Sequence, residues 1–192
     1  HVHCPISDSV VPQQPKKNRT LSVLVHHYLD YYARNNPDLL CLTQAGTTAT
    51  YGEVATSSRR LANGLLAIGV GRGERVAVLG ENSLEHLLML MAASRIGAVV
   101  VSLNYRLAPA ELAYILEDSS AAVLLTVNGV EDVLPPLRQR LQSPLRVFCR
   151  GGDGDENFEH WLQSQPDTAP GTDVEAGDAL LQLYTSGTTG NP

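Results

Sequence analysis

The sequence predicts an α/β fold, a parallel or mixed sheet with helices on both faces. Two observations carry that expectation. From residue 75 onward, short and nearly continuous apolar runs alternate with segments of helical periodicity. A strand that is apolar at every position must be covered on both faces, and crossover helices do this. The composition allows such a core: of 192 residues, 43% are hydrophobic and 18% charged, ordinary for a globular domain.

The elements follow in order. Residues 1–19 are polar and contain prolines, and are expected to form a disordered lead-in. Leu21, Leu24, Val25, Tyr28, Leu29 and Tyr32 recur at helical steps and predict one apolar stripe, stopped by Asn35-Asn36-Pro37. Leu40 to Gln44 and Thr48 to Tyr51 flank Ala45-Gly46-Thr47 and predict a hairpin. A second helix is expected from Glu53 to Ile68, with Leu61, Leu65 and Ile68 inward. The alternating part then reads Arg75–Leu79 strand, Ser83–Ile96 helix, Ala98–Leu103 strand and Pro109–Glu117 helix, the last with proline in its first turn. It continues with strand Ala121–Val127, a helix Val130–Leu141 broken by Pro135-Pro136, and strand Leu145–Cys149. A polar loop, a short helix Asn157–Gln165, a surface connection and a strand Leu180–Tyr184 complete the reading. The chain stops just beyond that strand, at Pro192, and is read as truncated.

Charge excludes one class of partner. Lys and Arg number 14, Asp and Glu 20, for a net charge of −6 without a basic block. Nucleic-acid binding needs clustered cations. Cys4, Cys41 and Cys149 are widely spaced and read as reduced thiols of a cytosolic protein. His1, His3 and Cys4 lack a second ligand cluster for zinc, so no metal site is assigned. No signal peptide is visible, although the chain does not begin with Met. The apolar run Leu87 to Leu103 is interrupted by Ser94, Arg95 and Gly97 and reads as a buried helix and strand, not a membrane span.

The chemistry-bearing segment is Thr185-Ser186-Gly187-Thr188-Thr189-Gly190, delivered by the strand Leu180–Tyr184. Gly187 and Gly190 permit positive φ and close approach of a ligand to the backbone. Successive N–H groups then face one concavity, and the hydroxyls of Ser186, Thr188 and Thr189 add donors. Such a loop suits nucleotide phosphates; a flexible linker is the alternative reading of the same composition. Only two residues separate the glycines, and Tyr184 stands where a nucleophile elbow needs Gly, so neither the GTPase-type phosphate loop nor that elbow fits.

Tyr184 through Pro192 resembles the phosphate-binding signature of the adenylate-forming superfamily, the group of acyl-CoA synthetases, peptide-synthetase adenylation domains and firefly luciferases. Thr50-Tyr51-Gly52-Glu53-Val54 resembles an early segment of that family, as do Arg95 to Val100 and Glu111 to Ser119. The resemblance extends from about Leu21 to Pro192. Asn104-Tyr105-Arg106-Leu107 resembles the run found in acyl-CoA and aryl-CoA ligases. The resemblance implies that residues 20–192 are the first part of the large amino-terminal domain of an adenylate-forming enzyme, cut at its phosphate-binding loop. It implies ATP-dependent activation of a fatty or aryl acid to an acyl-adenylate and then to a CoA thioester, with ATP, Mg2+ and coenzyme A as the small molecules involved. Thr185 to Gly190 would hold the phosphates, and the catalytic groups would follow Pro192. The chain by itself is expected to be inactive. An amino-acid-adenylating domain serving a carrier protein, and a non-catalytic interaction module, are the alternatives. A cytoplasmic location is expected, a peroxisomal one stays open, and oligomeric state and acyl substrate are not legible.

Other signals are weaker. Gly69-Val70-Gly71-Arg72-Gly73 precedes a strand, so it reads as a helix stop and turn, not a dinucleotide fingerprint. Asp153, Asp155 and Asn157 begin like a calcium loop, but Phe158 and Ser164 stand where Gly and an acid are needed. His26, His27, His86 and His160 show no partner in the sequence. Leu84, Leu87, Leu88 and Met91 read as a core stripe.

Overall fold

A computed structural model describes residues 23–44, 46–127, 129–130, 132–151 and 157–185. Helix α1 (Val25–Asn35) precedes an antiparallel hairpin, β1 (Leu40–Gln44) and β2 (Thr47–Thr50), with Gly46 at φ +84° in the turn. Helix α2 (Tyr51–Ala67) starts on a reciprocal cap. The Glu53 N–H donates to Thr50 Oγ1 at 3.3 Å, and the Thr50 N–H donates to the Glu53 carboxylate at 2.8 Å. Two otherwise orphaned donors are satisfied, so the Thr50-Tyr51-Gly52-Glu53 run is a helix start. Gly69 and Gly73 take φ of +89° and +80° and form the expected stop and turn.

The main sheet then assembles from β3 (Arg75–Leu79), α3 (Leu84–Ile96), β4 (Val99–Leu103), α4 (Pro109–Asp118), β5 (Val123–Thr126), α5 (Leu134–Arg138), β6 (Arg146–Cys149), α6 (Phe158–Gln163) and β7 (Leu181–Gln182). Among the described residues five parallel strands lie in the order β6-β5-β3-β4-β7. Their side chains divide by alternation. Val76, Val78, Val100, Val123, Leu125 and Phe148 pack with residues of α1, α2, α3 and α6 on one face. Ala77, Leu79, Val101, Leu103, Leu124 and Val147 pack with α4 and α5 on the other. Coverage of both faces is why these strands are apolar at successive positions. Trp161 of α6 packs tilted against Phe148, with ring centres 4.1 Å apart, and its ring edge occupies space beside Gly64 where a Cβ would meet it at 2.7 Å.

Several expectations need correction. The α1 stripe is not a buried one: among the described residues of α1 only Leu29 is buried, while Tyr28 is 63% exposed and Tyr32 39%. The helix docks through Leu29 and Ala33, through Tyr32 stacked on Tyr51 of α2 at 4.8 Å, and through polar side chains. Arg95, itself buried, forks onto Asp30 at 2.9 and 2.6 Å, and its Nε donates to Ser58 Oγ at 3.1 Å. Burial works against the Asp30 charge, but the bonded Arg95 guanidinium outweighs it and holds the carboxyl below its usual range. Pro135 and Pro136 do not break a helix; α5 begins at Leu134, so they stand in its first turn, where missing N–H groups cost nothing. In α3 the fully buried apolar positions are Leu88, Met89, Ala92, Ala93 and Ile96, while Leu84, Leu87 and Met91 pack partly buried at the margin. That helix is apolar nearly all round, so periodicity did not select its inner face. Ile68 is partly buried, and the last strand is limited to Leu181–Gln182. The proposed lead-in and Cys4 lie outside the described residues, as does most of the calcium-like segment. Among the described residues no helix is long and apolar enough to cross a membrane.

Candidate nucleotide-binding site

Parallel strands place all their carboxyl ends at one edge of a sheet, where ligands of open α/β folds collect. At that edge β4 and β7 are neighbours, paired as Val100 with Leu181 and Val101 with Gln182. The turn after β4 is fixed by Asn104, whose side-chain oxygen accepts from the Arg106 N–H at 3.0 Å and whose carbonyl accepts from the Leu107 N–H at 3.1 Å. An Asx turn of this kind explains the Asn. The Arg106 guanidinium lies 5.5 Å from the centre of the Tyr105 ring. Helix α4 then opens with Glu111 accepting from the Ala108 N–H at 2.8 Å.

Beyond Gln182 the chain leaves the ladder. Leu183 is 70% exposed, and Tyr184 folds back onto the α4 face, packed against the cluster that contains Leu103, Leu112 and Leu116. Its hydroxyl donates to the Asp118 carboxylate at 2.6 Å and accepts from Gln182 Nε2 at 2.8 Å. Burial and then the adjacent Asp118 carboxylate push the phenol up to about 12. Thr185, the next residue, is exposed. Of the phosphate-binding residues expected from the sequence, Thr185 is thus at the carboxyl edge; Ser186, Gly187, Thr188, Thr189 and Gly190 lie outside the described residues.

A triphosphate needs hydroxyl and amide donors and positive charge. Thr185, Asn104 and Arg106 are exposed and follow the carboxyl ends of the neighbouring strands β7 and β4, and they carry a hydroxyl, an amide and a positive charge. Among the described residues no group of three or more His, Cys, Asp or Glu side chains is arranged to hold a metal ion, so no magnesium ligand is assigned to them.

Of the four histidines that had no partner in sequence, His26 and His86 each lie against a serine hydroxyl. His26 Nδ1 lies 2.9 Å from Ser94 Oγ, and His86 Nδ1 lies 3.2 Å from Ser83 Oγ. Burial, with the Arg95 charge beside it, pushes His26 down to about 4, and burial lowers His86 as well. Ser94 is buried, so the His26 contact binds α1 to α3, whereas the His86 contact lies within the first turn of α3. Cys41 and Cys149 are free thiols, the latter buried. The Tyr184–Asp118–Gln182 network was missed from sequence. Its members stand in segments singled out there, but a bond spanning 66 positions leaves no local periodicity.

Comparison with known proteins agrees with this architecture. A feruloyl-CoA synthase from Amycolatopsis sp. is 40% identical over 161 residues, covering 83% of this chain and 30% of the relative. A long-chain-fatty-acid–CoA ligase from Mycobacterium tuberculosis is 34% identical over 143 residues, covering 74% of this chain and 28% of the relative. The chain therefore spans about a third or less of the length of such relatives. The crystal structure of the anthranilate CoA ligase AuaEII in complex with anthranoyl-AMP superposes with a TM-score of 0.75 and 29% identity, over 85% of this chain and 33% of that one. The model of the AMP-binding enzyme family matches residues 29–192, and the chain belongs to that family.

Proposed function

We propose that this chain is the opening part of a carboxylate–CoA ligase. In the full-length enzyme a carboxylate oxygen of a fatty or aryl acid attacks the α-phosphorus of ATP and pyrophosphate leaves. The thiol of coenzyme A then attacks the acyl carbon of the adenylate and AMP leaves. The observation that carries this reading is that Tyr184 and Thr185, the first two residues of the Tyr184–Pro192 signature, follow β7 at the carboxyl end of the described parallel sheet. Relatives named as CoA ligases for both aromatic and long-chain acids support the reaction class. The resemblance of Asn104-Tyr105-Arg106-Leu107 to the run found in acyl-CoA and aryl-CoA ligases favours the CoA-ligase branch over a carrier-protein-dependent adenylating domain.

Residues 20–192 form an incomplete AMP-binding domain in this reading, and Thr185, Ser186, Gly187, Thr188, Thr189 and Gly190 hold the β- and γ-phosphates. Magnesium supplies charge neutralisation on the phosphates when bound. The enzyme is cytoplasmic, and this chain alone does not turn over.

Pyrophosphate exchange into ATP, driven by a panel of aryl and fatty acids, tests the proposal in the full-length protein. Gly190→Val is expected to abolish most exchange, because a branched side chain restricts the backbone where a ligand approaches it. Thr188→Ala, which removes one hydroxyl bond to a charged group, should cost roughly ten- to a hundredfold. Thr20→Val serves as the neutral control. Parental exchange by folded Gly190→Val would sink the phosphate assignment and favour the linker reading. Exchange followed by transfer only to a carrier-protein thiol would replace CoA as acceptor.

A further inference from the structure

Resting on the phosphate-loop reading above, we propose that Asp118 and Gln182 act through Tyr184 as positioning residues, fixing the direction in which the chain enters the loop at Thr185. The backbone ladder does not do this. β7 pairs with β4 only at Leu181 and Gln182, and the next residue, Leu183, is 70% exposed. Among the described residues the last hold on the chain before Thr185 is a side chain.

That hold is well made. Gln182 and Tyr184 are two apart and project on the same face of the strand line. The Tyr184 ring packs in the α4-side cluster, and its hydroxyl is used in both senses, donating to Asp118 Oδ2 at 2.6 Å and accepting from Gln182 Nε2 at 2.8 Å. A 2.6 Å O–H···O contact is the length of a charge-assisted bond. The phenol, pushed up to about 12, stays a neutral donor across the working range of pH. Asp118 is the last residue of α4, a helix buried through Leu112, Ala113, Ile115 and Leu116, so the acceptor is carried on a rigid element. Small displacements of a binding group are costly where alignment supplies the rate. Losing the bond removes the side-chain hold on Tyr184, next to Thr185, and leaves the sequence of the loop unchanged.

The test is kinetic and uses the full-length enzyme with four variants: Tyr184→Phe, Asp118→Ala, Asp118→Asn and the double Tyr184→Phe/Asp118→Ala. The expected result is a roughly tenfold rise in KM for ATP in Tyr184→Phe and in Asp118→Ala. KM for the carboxylic acid and the thermal midpoint should stay near parental. The double variant should be no worse than either single one, since both remove the same bond. Asp118→Asn keeps an acceptor oxygen and should recover part of the loss. Additive single effects would overturn the proposal, as would a common fall in every kinetic constant together with the midpoint, which is the mark of a purely structural role. Gly190→Val separates the two readings. If it abolishes exchange while Tyr184→Phe is silent, only the positioning role falls; if it keeps parental activity, the phosphate loop falls and this proposal with it.

Discussion

The centre of the sheet and its edge are built differently. β3 is bonded along its whole length, in a five-residue register with β4 and a four-residue register with β5, and four of its five residues are buried. β7 has two residues and, among the described strands, one neighbour, with Leu181 half exposed. Side chains make up for the missing ladder at both ends. Upstream, Arg72 holds Asp178 at 3.1 and 2.6 Å; downstream, Tyr184 holds Asp118. The fold's stability thus resides in one strand and the proposed chemistry at the end of another. A segment that must accept and release a nucleotide is expected among the less stable parts of a protein.

The sharpest way to break this contrast is to remove the same side chain at both places. Leu79→Ala, at a fully buried position of β3, should cost about 2–5 kcal/mol. Leu181→Ala, at a position 50% exposed, should stay within about 1 kcal/mol. Urea midpoints of the two variants of the 192-residue chain decide it. Equal losses would mean that edge and centre unfold as one tightly coupled unit.

The same contrast governed what the sequence made legible. The central strands were read almost to the residue, Arg75–Leu79 without error, because two-sided burial writes an apolar run directly into the chain. The edge was read too long, as Leu180–Tyr184, since local pattern cannot tell a strand that pairs from one that has left the sheet. Helix α1 and its stop at Asn35-Asn36 were legible, but its packing face was not, for a related reason. Tyr28 keeps helical spacing but is exposed, Tyr32 stacks on Tyr51 of α2, and His26 and Asp30 make polar contacts to α3. Polar docking depends on residues 65 to 68 positions away, and no periodicity reports it. At the candidate site the loop was legible as composition, whereas Asp118 was legible only as part of a resembling segment and its bond to Tyr184 not at all.

Hydrogen exchange sharpens the contrast further. The amides of Val76 to Leu79 should exchange only by global unfolding, with protection equal to the stability from denaturation. Those of β7 should exchange by local opening and be less protected by at least a factor of ten, about 1.4 kcal/mol. Uniform protection across the sheet would show that the short edge opens no more readily than the core and would remove the distinction.

The smallest effect expected is at the upstream tie. Arg72→Gln shortens the side chain but keeps the stem that packs over Gly97, where a Cβ would sit 2.9 Å from Arg72 Cγ. Asp178 accepts from the Glu175 N–H at 2.9 Å and from Arg72, and these two contacts hold its carboxyl below the usual range. The pair is near the surface, so its contribution is small and salt-sensitive. The global urea midpoint should hardly move, while β7 protection falls a few-fold because the tie adjoins that strand. The sign with pH follows from the lowered carboxyl. The stabilisation is fully present above the ordinary Asp range, near pH ~3.9, and is lost as pH falls through the depressed value. The protection ratio between parent and Arg72→Gln should therefore be constant from neutral pH down to ~4 and close toward unity below it. A ratio already at unity at neutral pH and low salt would show that Arg72 and Asp178 do not hold the edge, leaving Tyr184 as the side chain that does.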